Sequence, residues 1–140
     1  MPSYLLLRHP SANRVYAGEA AALTAAELEI TASFASGIGQ AEVAGVDYLA
    51  FDADPLGRDE LAAIARQSAA FALFERSGDL LRPVSLPQVD FLDDDLVTIP
   101  KYQGKTNEQF TRLLLNVTVA AAQRPRPYRV LDPMAGRGTT

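Results

Sequence analysis

The sequence predicts a mixed chain of strands and helices, α/β or α+β in class. A small ferredoxin-like α+β module occupies residues 1–100, and residues 101–140 supply the first helix and strand of a second, nucleotide-type parallel sheet. Three observations predict this. Strand-length apolar runs and helical patterns follow one another as strand, helix, strand, helix, strand, strand. The charge balance reverses near residue 100. The last eleven residues close an apolar run with an acid, a proline and two glycines one residue apart.

The first strand is Tyr4-Leu5-Leu6-Leu7-Arg8. Leu23-Thr24-Ala25-Ala26-Glu27-Leu28 carries a helix start. Thr24 is spaced to cap the N–H of Glu27, Glu27 is spaced to reach back, and Leu23 and Leu28 fall at the two positions of a hydrophobic staple. This helix is expected to run to about Ser36, where Gly37 and Gly39 stop it. Val46–Asp52 is the next strand, and Asp54-Pro55 marks a break or a helix entry. Arg58–Gln67 is a second helix with Leu61, Ile64 and Ala65 on its apolar face. Phe71–Arg76 is a further strand, which Ser77-Gly78 turns into Asp79–Arg82 as a hairpin. Tyr48, Phe51, Phe71 and Phe74 fall at strand spacing and are assigned to core packing rather than base stacking. His9 stands alone beside Pro10 and is assigned a structural or solvent-facing role.

Pro83 to Pro100 is a connection, with Pro87 and the run Asp93-Asp94-Asp95 inside it. Successive acids point different ways on a strand or helix, and no calcium-loop spacing follows, so no metal site is assigned there. A helix begins at Thr106, where Thr106 and Gln109 form a second capping-box pair. Phe110, Leu113, Leu114, Val117 and Ala121 recur at helical spacing, and Pro125 and Pro127 end the helix. The Phe110/Leu113/Leu114 face is expected to pack on the first module or on a second copy of the chain. The second option makes a homodimer through the 106–123 helix an expected assembly.

Charge separates the two segments. Residues 1–100 hold six arginines and fifteen acids, a net −9, whereas residues 101–140 hold two lysines, five arginines and two acids, a net +5. A basic stripe suits a phosphate backbone, and Lys101, Lys105, Arg112, Arg124, Arg126 and Arg129 are the candidate nucleic-acid contacts. A solvated basic surface explains them equally well.

The tail has specific physics. Val130 and Leu131 are expected to form a buried parallel strand. Asp132 would then sit at its carboxyl end, where open α/β sheets place ligands. Pro133 ends the ladder. Gly136 and Gly138 permit positive φ and close approach of a ligand, and Thr139 or Thr140 is placed to open the next helix. There is no Gly-Lys-Ser/Thr, which disfavours a P-loop, and the G-x-G-x-x-G dinucleotide pattern is unmet.

Asp132-Pro133-x-x-Gly136-x-Gly138-Thr139 resembles the first motif of S-adenosylmethionine-dependent amino-methyltransferases. Lys101-Tyr102-Gln103-Gly104-Lys105-Thr106 through Asn116 resembles the lead-in helix of THUMP-associated tRNA guanine-N2-methyltransferases and their bacterial RNA-methylase relatives. The resemblance covers about the last 40 residues well and the first 100 loosely. It implies a Rossmann-like methyltransferase domain starting at residue 101, with S-adenosyl-L-methionine as cofactor. It places Asp132 near the methionine amino group and Gly136 and Gly138 under the methionine end, with Pro133 and Thr139 completing the cofactor-binding set. The implied reaction is methyl transfer to an exocyclic amine of a base in RNA, with tRNA guanine favoured.

The chain departs from that pattern in three respects. It has no Asp/Asn-Pro-Pro-aromatic motif to hold the amine, and it lacks the later acid that binds the cofactor ribose. About 100 residues before the lead-in helix are too few for both a ferredoxin-like and a THUMP module. The chain is therefore expected to be the front part of a longer protein, inactive by itself, with no nameable catalytic residue and with another RNA or DNA left open as substrate. The rival classes are a DNA amino-methyltransferase, which would flip its base out of a duplex, and a non-catalytic nucleic-acid-binding or assembly domain.

Composition sets the outer bounds. At 140 residues, 48% hydrophobic and 21% charged, the chain can bury an ordinary globular core. No apolar run approaches the ~20 residues that span a bilayer. Met1-Pro2-Ser3-Tyr4 lacks a basic signal region, so the cytoplasm is the expected compartment and no membrane partner is expected. With no cysteine there is no disulfide, thiolate zinc site or thiol nucleophile.

Overall fold

The computed structural model describes residues 1–10, 14–88, 108–123, 129–131 and 133. The elements are β1 (Ser3–Arg8), α1 (Arg14–Thr31), β2 (Ser36–Val43), β3 (Val46–Asp52), α2 (Arg58–Ala65), β4 (Ala70–Ser77), β5 (Leu80–Val84) and α3 (Glu108–Ala122). The strands form one five-stranded sheet in the order β2-β3-β1-β4-β5, antiparallel throughout. The chain is thus mixed α/β, with three helices among the described residues.

β1 takes the centre because its Leu5-Leu6-Leu7 run is apolar towards both faces, and a central strand needs that. Leu5 is 0% and Leu6 2% exposed, on opposite sides of the sheet. On one side Tyr4 and Leu6 join Leu49 and Phe51 of β3 and Leu73 of β4 beneath Leu28 of α1, Ala32 just after that helix, and Ile64 of α2. Both helices therefore cover the same face. Each fully buried leucine or isoleucine there contributes about 1.5–3 kcal/mol. Tyr4 and Phe51, paired across β1 and β3, stack at 5.5 Å. On the other side Tyr48 and Phe74 meet edge to face at 6.1 Å and lean over β1 from its two neighbours.

The hairpins are local chemistry. Ala44 (φ 53°) and Gly45 (φ 79°) make a two-residue turn with both φ positive, which matches the right-handed twist of β2 and β3. Gly78-Asp79 joins β4 to β5 with Ser77 opposite Leu80, the expected hairpin. α2 opens with the Gly57 N–H donating to Glu60 Oε2 at 3.1 Å, and it covers most of the expected Arg58–Gln67 helix.

Several expectations are corrected. α1 begins at Arg14, not at Thr24, and ends at Thr31, not near Ser36. Ala20, Ala21 and Ala22 are the best helix formers, so the helix runs straight through the cap-like pattern. The Thr24 hydroxyl donates to the Ala20 carbonyl one turn back at 2.6 Å, and Glu27 turns inward. Ser36–Val43, expected to hold a helix end and a loop, is an edge strand with a register shift between Ser36 and Gly39. Val130 and Leu131 are not in a strand. They are 61% and 87% exposed and pair with no strand among the described residues. A parallel strand draws its order from neighbours, and β2 and β5, the two edges of the sheet, do not take them up.

α3 lies against α1. Gln109, Leu113 and Asn116 share a stripe at i, i+4 and i+7, and Leu113 is 6% exposed. Phe110, Leu114, Val117 and Ala121 occupy a second stripe about 100° round the helix, and Leu114 is 49% exposed. Of the face expected to dock on the first module, Leu113 is buried and Leu114 is not. The start of this helix at Thr106, the acidic run Asp93–Asp95 and the prolines at 125 and 127 lie outside the described residues.

Candidate functional site

Of the cofactor residues expected from sequence, Pro133 is described, as an exposed turn residue. Asp132, Gly136, Gly138 and Thr139 lie outside the described residues. Of the basic residues, Arg112 is half-buried on α3 and Arg129 is exposed, in no regular element. Lys101, Lys105, Arg124 and Arg126 lie outside the described residues.

The described residues do converge elsewhere, at the junction of α1, α2 and α3. Glu27 lies one turn before the C-terminal end of α1 and is 1% exposed. Its Oε1 accepts the Ser68 backbone N–H at 3.0 Å, and its Oε2 accepts the Ser68 hydroxyl at 2.5 Å. Ser68 is placed for this by the tight connection from α2 to β4, in which Gln67 N–H donates to Ile64 O and Ala70 N–H to Gln67 O. From α3, Asn116 Nδ2 donates to Glu27 Oε1 at 2.7 Å and to the Arg66 carbonyl at 2.8 Å. The second acceptor is the C-cap residue of α2, whose carbonyl has no partner within its own helix. Gln67 Nε2 extends the network to Thr31 Oγ1 at 2.7 Å, and Thr31 in turn donates to the Glu27 carbonyl at 2.7 Å. A carboxylate buried this deeply is tolerated only where hydrogen bonds replace its lost water, and Glu27 has three.

No described cation stands in for those donors: the ion pair found among the described residues, Arg82 with Glu75, lies at the surface. There the hydrogen bond to Glu75, and then its charge, hold the Arg82 guanidinium further above its ordinary value. At the far end of β1, the exposed His9 donates its backbone N–H to Ala69 O at 2.6 Å and its ring meets Phe71 edge-on at 5.2 Å; Phe71, assigned from its spacing to core packing, is instead 59% exposed. Among the described residues no three imidazole or carboxylate groups converge on a metal-sized site, and no helix is long and apolar enough to cross a membrane.

Sequence reasoning missed the Glu27 junction. Its signals were present. Thr24, Glu27 and Thr31 form a polar stripe along a helix whose other positions are largely alanine and leucine. Asn116 is a lone amide between Leu115 and Val117. The chain matches no protein-family model, no curated protein sequence and no solved structure.

Proposed function

We propose that this chain is the N-terminal part of an S-adenosylmethionine-dependent RNA methyltransferase, acting in the cytoplasm on the exocyclic amine of a base, with tRNA guanine-N2 the favoured target. The observation that carries the reading is Asp132-Pro133-x-x-Gly136-x-Gly138-Thr139, preceded at the family's distance by the lead-in segment from Lys101 to Asn116. In this reading residues 1–100 are a ferredoxin-like substrate-recognition module and residues 101–140 open a Rossmann-like catalytic domain.

The β-α-β-β-α-β order, with β1 between β3 and β4, supports the first assignment, with β5 as an added edge. The helical conformation of Glu108–Ala122 supports the second. Leu114, Val130 and Leu131 are apolar and exposed, as residues that a following parallel sheet would cover. The basic balance after residue 100 suits an RNA backbone at the seam between the two parts. Methyl transfer needs the sulfonium carbon and the amine in line, so holding the RNA and the donor in fixed relation supplies much of the rate.

Titrating S-adenosylmethionine calorimetrically into the intact polypeptide that contains this chain tests the reading. Saturable binding, weakened about tenfold or more by Asp132→Ala, is the expected result. An intact polypeptide that takes up no donor heat overturns it. For the RNA arm, binding of the 140-residue chain to tRNA should fall linearly with salt on a log–log plot. A flat response removes the basic segment from the interface.

A further inference from the structure

The junction at Glu27 is more than packing, because of how its donors are distributed. Every contact the carboxylate makes is with a donor, two from Ser68 and one from Asn116. The two hydrogens of the Asn116 amide are both used, one on Glu27 and one on the Arg66 carbonyl. Asn116 thereby joins the C-terminal part of α1 to the C-terminal end of α2 in a single group. The Ser68 bonds belong to the first module alone and remain when α3 is absent, so Glu27 stays partly satisfied in either state. The stripe around Asn116 carries one fully covered apolar anchor, Leu113, while Gln109 on the same stripe has a buried carbonyl oxygen that accepts no hydrogen bond from a described residue. The seam around Asn116 thus sets a polar clasp beside one buried apolar side chain, Leu113.

We propose that Glu27 and Asn116 form a latch that docks α3 on the first module, and that α3 opens and closes on α1 and α2 as a unit when the latch breaks. The open state exposes Leu113 and leaves the sheet, α1 and α2 intact, with Ser68 still bonded to Glu27. Under the methyltransferase reading, on which only this consequence rests, the latch fixes the angle between the substrate module and the cofactor loop that follows α3. The latch itself does not depend on that reading.

Hydrogen exchange on the 140-residue chain, followed by mass spectrometry without any methyl donor present, tests it. Asn116→Ala removes both donors while placing a better helix former in α3, so any loss of protection there reports undocking and not a weaker helix. The expected result is a fall of about 10–100-fold in protection of the α3 amides, the range for a hydrogen bond to a charged group, with β1 and β3 amides unchanged. Asn116→Asp sets a second acceptor against Glu27 and the Arg66 carbonyl and should give the larger fall. The proposal is overturned if α3 is unprotected in the native chain, if both variants leave its protection unchanged, or if α3 and β1 lose protection in step. Because no donor enters the measurement, these outcomes are separate from failure of the calorimetric test.

Discussion

Replacing Glu27 tests whether a charge can be a net stabiliser in this core. The side chain is 1% exposed and accepts from Ser68 N–H, Ser68 Oγ and Asn116 Nδ2. Three charge-assisted bonds at about 1.5–3 kcal/mol each stand against a desolvation cost of several kcal/mol for the ion. In Glu27→Ala the bonds vanish and so does the ion. What remains is a cavity and a buried Ser68 N–H without a partner, the latter worth about 1–3 kcal/mol. Asn116 still holds the Arg66 carbonyl, and the Ser68 hydroxyl can rotate. The net loss should be about 3–5 kcal/mol. Glu27→Leu fills the space but strands the same N–H, for about 2–4 kcal/mol. Glu27→Gln keeps one acceptor oxygen for Ser68 N–H and Asn116 and turns its amide to the Ser68 oxygen, for about 1–2 kcal/mol. Urea unfolding followed by far-ultraviolet circular dichroism should rank the variants in that order. With a urea dependence of about 2 kcal/mol per molar, Glu27→Ala should lower the midpoint by about 2 M. A Leu variant at least as stable as the native chain would refute the reasoning, because the buried carboxylate would then cost more than its bonds return.

Two further outcomes follow from packing and backbone geometry. Leu6→Ala, at a 2% exposed position under the helices, should cost about 2–5 kcal/mol by thermal melting, whereas Leu114→Ala, at a 49% exposed position, should stay within about 0.5 kcal/mol. Gly37→Ala and Gly78→Ala should both destabilise, Gly37→Ala only slightly more, because the atom its Cβ would meet is the movable end of a side chain. Both glycines have positive φ, 58° and 61°, which costs any other residue about 1–2 kcal/mol. Only at Gly37 would the new Cβ also come within 2.9 Å of Asp52 Oδ2, so a melting shift there far larger than at Gly78 would mean that this side chain does not give way.

What could be read in the sequence follows from how local each signal is. β1, β3, α2 and the β4–β5 hairpin were legible because apolar spacing and turn residues specify them within a few positions. β2 was not legible. Ser36-Gly37-Ile38-Gly39-Gln40 has two glycines and no apolar run, and its strand conformation comes from pairing with β3 across the Ala44-Gly45 turn. The end of the chain misled for a related reason: Val130-Leu131 has strand composition, but a strand is made by its neighbours. Glu27 was invisible as a buried group because a carboxylate on a helix is normally read as solvent-facing. Its partners Ser68 and Asn116 are 41 and 89 positions away.

Thr24 is where a local rule and the tertiary structure disagree most directly, and substitutions there separate the two. If Thr24 capped a helix, its hydroxyl would hold an otherwise free N–H. Serine would then serve as well or better, and valine would lose about 0.5–2 kcal/mol. The structure puts Thr24 inside α1 at 4% exposure, with its hydroxyl donating to Ala20 O, a carbonyl that the helix ladder already engages. That bond adds little and slightly strains the turn, while the buried methyl is worth about 0.8 kcal/mol. The order is therefore reversed: Thr24→Val should be neutral or slightly stabilising, and Thr24→Ser should lose about 1 kcal/mol, both read from urea midpoints. Serine and valine differ little in helix propensity, so propensity does not decide the result. A serine variant more stable than the valine variant would return the helix start to Thr24. It would also free Glu27 to reach back to the cap, and the junction with Ser68 and Asn116 would then lose its acceptor.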